Sequence, residues 1–346
     1  MALKQVLGVD ISMDSFDVNL HFLTDDFKKK CVGSRKFENN MKGYNDLNLW
    51  VKKRKDDNLA LSAVIEFTGV YHECLAHYLR DQRYIVHMVI PSKAKKYIES
   101  LSKCSKTDKL DAQSLAWMGL ERDLRVWEPI SKNFLEIRHL TREREELLKE
   151  KTIVNNRLHA MKKGYSPSLK AIQRYEERVA LIKDQIDDVE ADIKMFIKEK
   201  PLLNEKVKKI ITIPGVGITT AATIIAETNG FSAILNQKQL TSYAGYDVKF
   251  NESGKFKGRT KISKQGNAHI RRVLHFPAQT AIIHNAPLST FYQRVNANKI
   301  KPMIGGVAVQ RKLLCLTYAI WKTDRVFDPK YEITKTCKKK VGLLES

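Results

Sequence analysis

Four carboxylates and one serine are the residues whose types and settings could do chemistry. Asp10 lies in "LGVDIS", an acid inside an apolar strand. Strands disfavour Asp, and an unpaired buried carboxylate is costly. Glu66 ends a second apolar strand, "AVIEFTG". Asp108 and Asp111, in "KTDKLDA", stand three apart, so on a helix they share a face. Hard divalent cations want such oxygen ligands. A pair of such ions could activate an attacking oxygen and stabilise a leaving one in phosphoryl transfer. Singly, each acid has an ordinary use: Asp10 as a strand end, Asp108 as a charge favoured at a helix N-terminus, Glu66 as a surface acid. The set, in this order, is what points to metal. Asp14, Asp17, Glu73 and Asp81 read as solvated acids.

The serine is Ser253, between Glu252 and Gly254 in "NESGKFKGRT", followed by Lys255, Lys257, Arg259 and Lys261. A serine hydroxyl is a weak nucleophile until it is activated, and metal coordination is one route. Alone, the ten residues are a basic loop of the kind that holds phosphates. Ser263, in "ISKQGN", is the fallback nucleophile, with a phosphate contact or helix cap as its alternative use.

The composition supports a polyanionic target. The 346 residues carry a net charge of +22, an excess that a fold does not require and that nucleic acid explains most simply. It is concentrated after residue 200, where 24 Lys/Arg face 8 Asp/Glu. A membrane surface is the weaker alternative, because no basic amphipathic anchor stands out and no apolar run approaches spanning length. Cys31, Cys74, Cys104, Cys315 and Cys337 are scattered and never form a CxxC pair, which fits a reducing cytosol and gives no zinc site. "MALKQVLGVD" enters a strand directly, with no signal peptide expected.

The elements that must position these groups follow from periodicity. Residues 4–24 read as two strands joined by a polar turn, and "KKKCVGSRKFEN" as a third. "LALSAVIEF" and "YIVHMVI" are further strands, the latter closed by Pro91. "MKGYNDLNLWVKK", "VYHECLAHYLRDQ" and "KTDKLDAQSLAWMGL" have helical spacing. This is an α/β layer with a mixed sheet over residues 1–130. Residues 131–200 change character. Ile172, Tyr175, Val179, Ile182, Ile186, Val189, Ile193 and Phe196 form a heptad seam, and Leu140, Leu147, Val154 and Met161 keep a seven-residue step upstream of the turn "GYSPS". Both an intramolecular helical hairpin and an oligomerising coiled-coil arm would bury it. Residues 201–346 are mainly helical in pattern and basic, with a tail containing Lys338–Lys340.

In this last region "IPGVGITTAATIIAE" sets Gly215 and Gly217 before a helical run. It is a helix-hairpin-helix-like signature whose glycines let backbone N–H groups approach a phosphate. From Lys249 to Arg272 eight Lys/Arg accompany one acid, Glu252. Lys255, Lys257, Arg259, Lys261, Lys264, Arg271 and Arg272 are the phosphate candidates, and their binding should weaken steeply with salt. His269 and His275 read as helix-face residues.

"GVDIS…IEFTGVY…KTDKLDA" resembles the ribonuclease-H-like DEDD domain of the insertion-sequence-one-ten transposases and the related pilin-gene invertases, whose logic RuvC-type junction resolvases share. The elements P-G-x-G, Y-A-G, E-S-G, I-S-K-x-G-N and H-I-R-R resemble the second domain of the same family, so the resemblance runs from residue 5 to about 322. It implies an α/β plus all-α protein: a RuvC-like mixed sheet with helices, a coiled-coil hairpin, and a mainly helical C-terminal domain. It implies that Asp10, Glu66, Asp108 and Asp111 hold Mg²⁺, with Mn²⁺ as the alternative ion. It implies that Ser253 attacks a DNA phosphate to leave a phosphoserine. Lys255 and Phe256 stand where other members often have further serines. The implied partners are donor and target double-stranded DNA, a structured guide RNA, and further copies of the chain, dimer to tetramer. The implied setting is the nucleoid of a bacterial or archaeal cytoplasm. The rival readings are a metal-dependent junction-resolving endonuclease using water, and a non-catalytic DNA-binding protein.

Overall fold

A computed structural model describes residues 2–67, 69–101, 107–250, 252–253, 256–258, 260–297 and 301–330, with backbone alone at 256 and 257. The chain divides into two compact units, the first ending at Pro129 and the second beginning at Ile130.

The first unit runs β1 (Ala2–Ile11), β2 (Ser15–Thr24), β3 (Lys29–Glu38), α1 (Met41–Lys52), β4 (Leu61–Glu66), α2 (Glu73–Asp81), β5 (Ile85–Val89), α3 (Pro91–Ser100) and α4 (Asp108–Glu121). Its five-stranded sheet has the order β3-β2-β1-β4-β5. β2 is antiparallel to both neighbours, while β1, β4 and β5 are parallel. Strand periodicity sorts the side chains. Leu7, Val9 and Ile11 of β1 face a core with Leu47 and Trp50 of α1 and Leu75 and Leu79 of α2. Val6 of β1 and Val64 of β4 face the other way, onto Ala94 and Tyr97 of α3 and Leu115 and Ala116 of α4. Helices therefore cover both faces, which explains why Ala63, Val64 and Ile65 of β4 are apolar in succession. Pro91, expected to close a strand, also opens α3 at its first turn, where a missing N–H costs nothing.

The second unit is mostly helical. It begins with α5 (Lys132–Lys163) and α6 (Leu169–Lys198), capped by Ser131 and Ser168. They form an antiparallel hairpin, with Leu147, Val154, Val179, Ile182 and Ile186 between them. Arg144–Glu190 at 2.7 Å and Lys162–Glu176 at 2.6 Å fix its register. Its base is not a free arm. Ile137 of α5 and Ile193, Phe196 and Ile197 of α6 belong to the core of the helices that follow. Those are α7 (Pro201–Ile210), α8 (Ile218–Glu227) and α9 (Gln237–Tyr243).

A nested antiparallel ribbon comes next: β6 (Val248–Lys249), β7 (Glu252–Ser253), β8 (Phe256–Lys257) and β9 (Lys261–Ile262), with β6 paired to β9 and β7 to β8. The chain then continues through α10 (Ala268–Val273), α11 (His275–His284), α12 (Ala286–Asn296) and α13 (Met303–Thr323). Contrary to the reading that no apolar run approaches spanning length, α13 is long and apolar enough to cross a membrane by length and composition. Its Val309, Leu313 and Leu314 are fully buried in the unit's core.

Candidate functional site

The acids of the first unit converge because of strand register. β1 and β4 run parallel with Val9 beside Ile65, so the next step along both strands sets Asp10 beside Glu66, on the face that α4 covers. α4 supplies the other two from its first turn. Thr107 caps it, accepting from the Leu110 N–H, and Asp108 and Asp111 follow in that turn, where the helix dipole favours negative charge. Gly8 lets α4 come this close. A Cβ there would lie 1.9 Å from the Ala112 carbonyl oxygen and 2.4 Å from the Ala116 nitrogen. Two residues from Asp10 on the same face, Gly8 is where helix backbone meets strand backbone.

Electrostatics register the convergence. Burial pushes the Asp10 carboxyl up to about 7, reinforced by the charges of Asp111, Asp108 and Glu66, and then of Asp17. Asp10, Glu66 and Asp111 are half-buried and Asp108 is exposed, so solvent reaches the group. Among the described residues no three His, Cys, Asp or Glu side chains are already drawn into a metal-holding cluster. The acids lie within Coulombic reach of one another without being closed into a chelate. They fit a divalent cation in donor type, and a cation would offset the burial and the repulsion that raise the Asp10 carboxyl.

Two contributors escape a reading of the sequence. Asp17, which reads as solvated, pairs directly across β1–β2 with Asp10; its side chain is 19% exposed and lies 3.7 Å from the Lys36 ammonium. The signal is present in the sequence, since a hairpin turning at residues 12–14 sets 10 opposite 17. The other is Asn39, beyond the end of β3, which no chemical motif marks.

In the second unit Ser253 is exposed in β7, paired with Phe256 in β8. Lys255 and Arg259 lie outside the described residues, as does the side chain of Lys257. Lys261 and Lys264 are exposed on the same ribbon and the turn after it. Arg271 and Arg272 are engaged within the unit. Arg271 donates to the carbonyls of Ala244 at 2.8 Å and of Gly266 and Asn267 at 3.2 Å. Arg272 pairs with Glu145 on α5. Ser263 is likewise occupied, donating to the Gly245 carbonyl and accepting from the Gln265 N–H. His269 meets Glu145 at 2.6 Å. Gly215 and Gly217 part company. Gly215 has φ +98° and a Cβ there would lie 2.6 Å from the Pro277 carbonyl, so its glycine is needed for fold. Gly217 is exposed at the start of α8 with open space around it.

Among α5, α8 and α10 lies a second set of acids, unmarked by any motif. Glu227, 1% exposed, accepts two bonds from Arg142 at 2.8 and 3.1 Å and one from Asn267 at 2.6 Å, with Arg138 at 3.9 Å. Burial raises its carboxyl, and these partners more than reverse that, leaving it below the usual range. Glu145 is treated the same way: burial raises it, and Lys149, His269 and Arg272 bring it down to about 2.

Comparison with known proteins gives this architecture a class. The family described as DEDD transposase of the IS110 type matches residues 7–167, and the "Transposase IS116/IS110/IS902 family" matches residues 207–293. The pilin gene-inverting proteins of Moraxella lacunata and Moraxella bovis are each 30% identical over 332 residues, covering 94% of this chain and 98% of theirs. The transposase for insertion sequence element IS1111A of Coxiella burnetii is 23% identical over 224 residues, 57% of this chain and 59% of that protein. Among solved structures, Thermus thermophilus RuvC in complex with a Holliday junction substrate aligns over 36% of this chain and 99% of its own, at 7% identity and a TM-score of 0.28. The protein is a DNA transposase/recombinase. Within that class, the chain belongs to the IS116/IS110/IS902 transposase family.

Proposed function

We propose that this transposase cuts and exchanges DNA strands with Ser253 as nucleophile and with the Asp10, Glu66, Asp108 and Asp111 carboxylates as the site of a divalent cation, Mg²⁺ or Mn²⁺. The observation that carries the reading is Asp10, whose carboxyl is raised to about 7 by burial and by the charges of the other three acids. A fold does not gain from crowding like charges, and such a group is a functional-site candidate for that reason. When bound, the cation supplies charge neutralisation at the phosphate and activation of the attacking oxygen. The sheet order β3-β2-β1-β4-β5 with β2 antiparallel supports a ribonuclease-H-like reading of the first unit. The α7–turn–α8 segment with Gly217 open at a helix start supports a helix-hairpin-helix-like phosphate grip.

The chemistry then balances without an external energy source. The Ser253 Oγ–phosphorus bond forms as the bond from phosphorus to one bridging oxygen breaks. The serine proton is lost and the departing oxygen gains one. The phosphoserine conserves the bond energy, so a hydroxyl of the second strand can reverse the step and join the strands. The relatives are named as a gene-inverting protein and as transposases, and strand exchange serves both. Lys261, Lys264 and the Gly217 N-terminus would hold backbone phosphates, with Lys255, Lys257 and Arg259 beside them in sequence. A structured guide RNA is the further polyanion that the basic C-terminal half would take, and two duplexes call for more than one copy of the chain.

The test is a denaturing gel of wild type, Ser253→Ala and Asp10→Asn on donor DNA with Mg²⁺. Wild type forms a covalent protein–DNA adduct and both variants form none. Unimpaired cleavage by Ser253→Ala, leaving free hydroxyl and phosphate ends, would mean that water attacks and the serine reading is wrong.

A further inference from the structure

The two strands that carry Asp10 and Glu66 end in separate loops, and one side chain ties those loops together. Asn39 Nδ2 lies 3.0 Å from the Ser12 carbonyl, 3.2 Å from that of Met13 and 3.1 Å from that of Tyr71. Ser12 and Met13 form the turn that leaves β1, two and three residues past Asp10. Tyr71 lies in the loop that leaves Glu66. Two hydrogens shared among three carbonyls make a clasp, not a single bond. The amide is itself oriented. Its Oδ1 accepts from the Tyr44 hydroxyl at 2.6 Å, and Tyr44 is buried against Phe16 and Tyr78. The Asn39 backbone N–H donates to the Asp14 carbonyl at 2.9 Å, closing the same turn from its far side.

We propose that Asn39 is a positioning residue: it fixes the β1 turn against the β4 loop so that Asp10 and Glu66 present their carboxylates to one cation. The proposal rests on the reading of those acids as a cation site. The bonds of Asn39 go to the loops' backbone carbonyls and to Tyr44. Its effect is mechanical, and groups that orient ligands from outside the ligand shell commonly govern affinity. The half-buried carboxylates repel one another, so without the clasp the strand ends have reason to separate.

The neighbour Asn40 provides the control. It caps α1, accepting from the Gly43 N–H at 2.9 Å, so Asn40→Ala also destabilises this unit but leaves the clasp intact. Mn²⁺ binding to the full chain is measured by titration calorimetry for wild type, Asn39→Ala, Asn40→Ala, Tyr44→Phe and Asp10→Asn. Amide hydrogen exchange is followed over residues 12–14 and 69–72. Asn39→Ala should weaken Mn²⁺ binding at least about tenfold and speed exchange in both loops. Asn40→Ala should bind as wild type. Tyr44→Phe, which keeps the ring and removes only the bond that orients the amide, should fall between and serves if Asn39→Ala does not fold. Equal affinities for Asn39→Ala, Tyr44→Phe and Asn40→Ala would overturn the positioning role alone. Equal affinities for wild type and Asp10→Asn would overturn the cation site itself, and the positioning role with it.

Discussion

Asp10 in the first unit and Glu227 in the second are both carboxylates withdrawn from water, in surroundings of opposite charge. Glu227 is met by Arg142, Arg138 and Asn267, and its acidity is strengthened despite burial. Asp10 is met by Asp111, Asp108, Glu66 and Asp17, and burial together with these charges weakens its acidity. A carboxylate with its countercharge built in holds helices together: Glu227 ties α5 to α8 and to the cap of α10. A carboxylate whose neighbours are further carboxylates calls for a positive partner from elsewhere. On the proposed function, the difference separates acids that serve the fold from acids that serve the reaction, and burial alone would not have done so.

The sharpest way to break this comparison is to make the same chemical change at both places. Glu227→Gln removes the countercharge that Arg138 and Arg142 share in a buried setting. It should cost about 3 kcal/mol, the range seen when one partner of a buried ion pair is removed. Urea unfolding at pH 7 measures it. A loss below about 1 kcal/mol would mean the network adds little beyond its packing.

Asp10→Asn should act in the opposite direction. The folded carboxyl titrates near 7 and an ordinary aspartate near 3.8. Between those values the folded state keeps a proton that the unfolded chain has released. Stability contributed by the native residue therefore falls as pH rises through that window, and the penalty is complete above it. An amide has no such penalty. In the absence of divalent metal, Asp10→Asn should be more stable than wild type above pH 7, by about 2 kcal/mol once the solvent reaching the half-buried group is allowed for. The gap should close near pH 4. Added Mg²⁺ should narrow it from the other side, by stabilising only the wild type. A pH-independent gap would mean that the substituted amide acts through packing and that neither burial nor neighbouring charge raises the Asp10 carboxyl.

How much of this is legible in the sequence depends on whether strand register or tertiary packing supplies the answer. Asp10 and Glu66 stand out because acids at apolar strand positions are costly, and the parallel order of β1 and β4 turns that oddity into adjacency. Asp108 and Asp111 are legible from their helical spacing. Asp17 is within reach by counting across the turn, yet its own strand alternates in the ordinary way and gives it the look of a solvated acid. Glu227 and Glu145 are not legible. Each is an ordinary acid in an ordinary helix, and its partners lie 85 and 127 residues away in Arg142 and Arg272. The hairpin of α5 and α6 is visible as a seam, but its base is claimed by the core of the second unit through Ile137 and Ile193, which the heptad pattern does not distinguish from Val154 and Ile182. The ribbon around Ser253 is hidden because its strands are two residues long, too short to show a period.

The same logic divides the cations, with smaller effects. Arg271 satisfies three backbone carbonyls around the turn at Gly266, whereas Lys261 and Lys264 are exposed. If the division between groups that serve the fold and groups that serve the partner extends to positive charge, the two classes should differ in salt dependence. The double change Lys261→Ala and Lys264→Ala should leave thermal stability nearly unchanged and reduce the slope of log Kobs against log salt by about 0.9 for each phosphate no longer neutralised. Arg271→Ala should lower Tm by disordering the turn, with the slope unchanged at temperatures where the protein stays folded. Fluorescence anisotropy on a fixed duplex, over a series of NaCl concentrations, measures both. An Arg271→Ala slope as shallow as that of the lysine pair would place Arg271 on the phosphate as well, and its hydrogen bonds to Ala244, Gly266 and Asn267 would then be how the turn aims it.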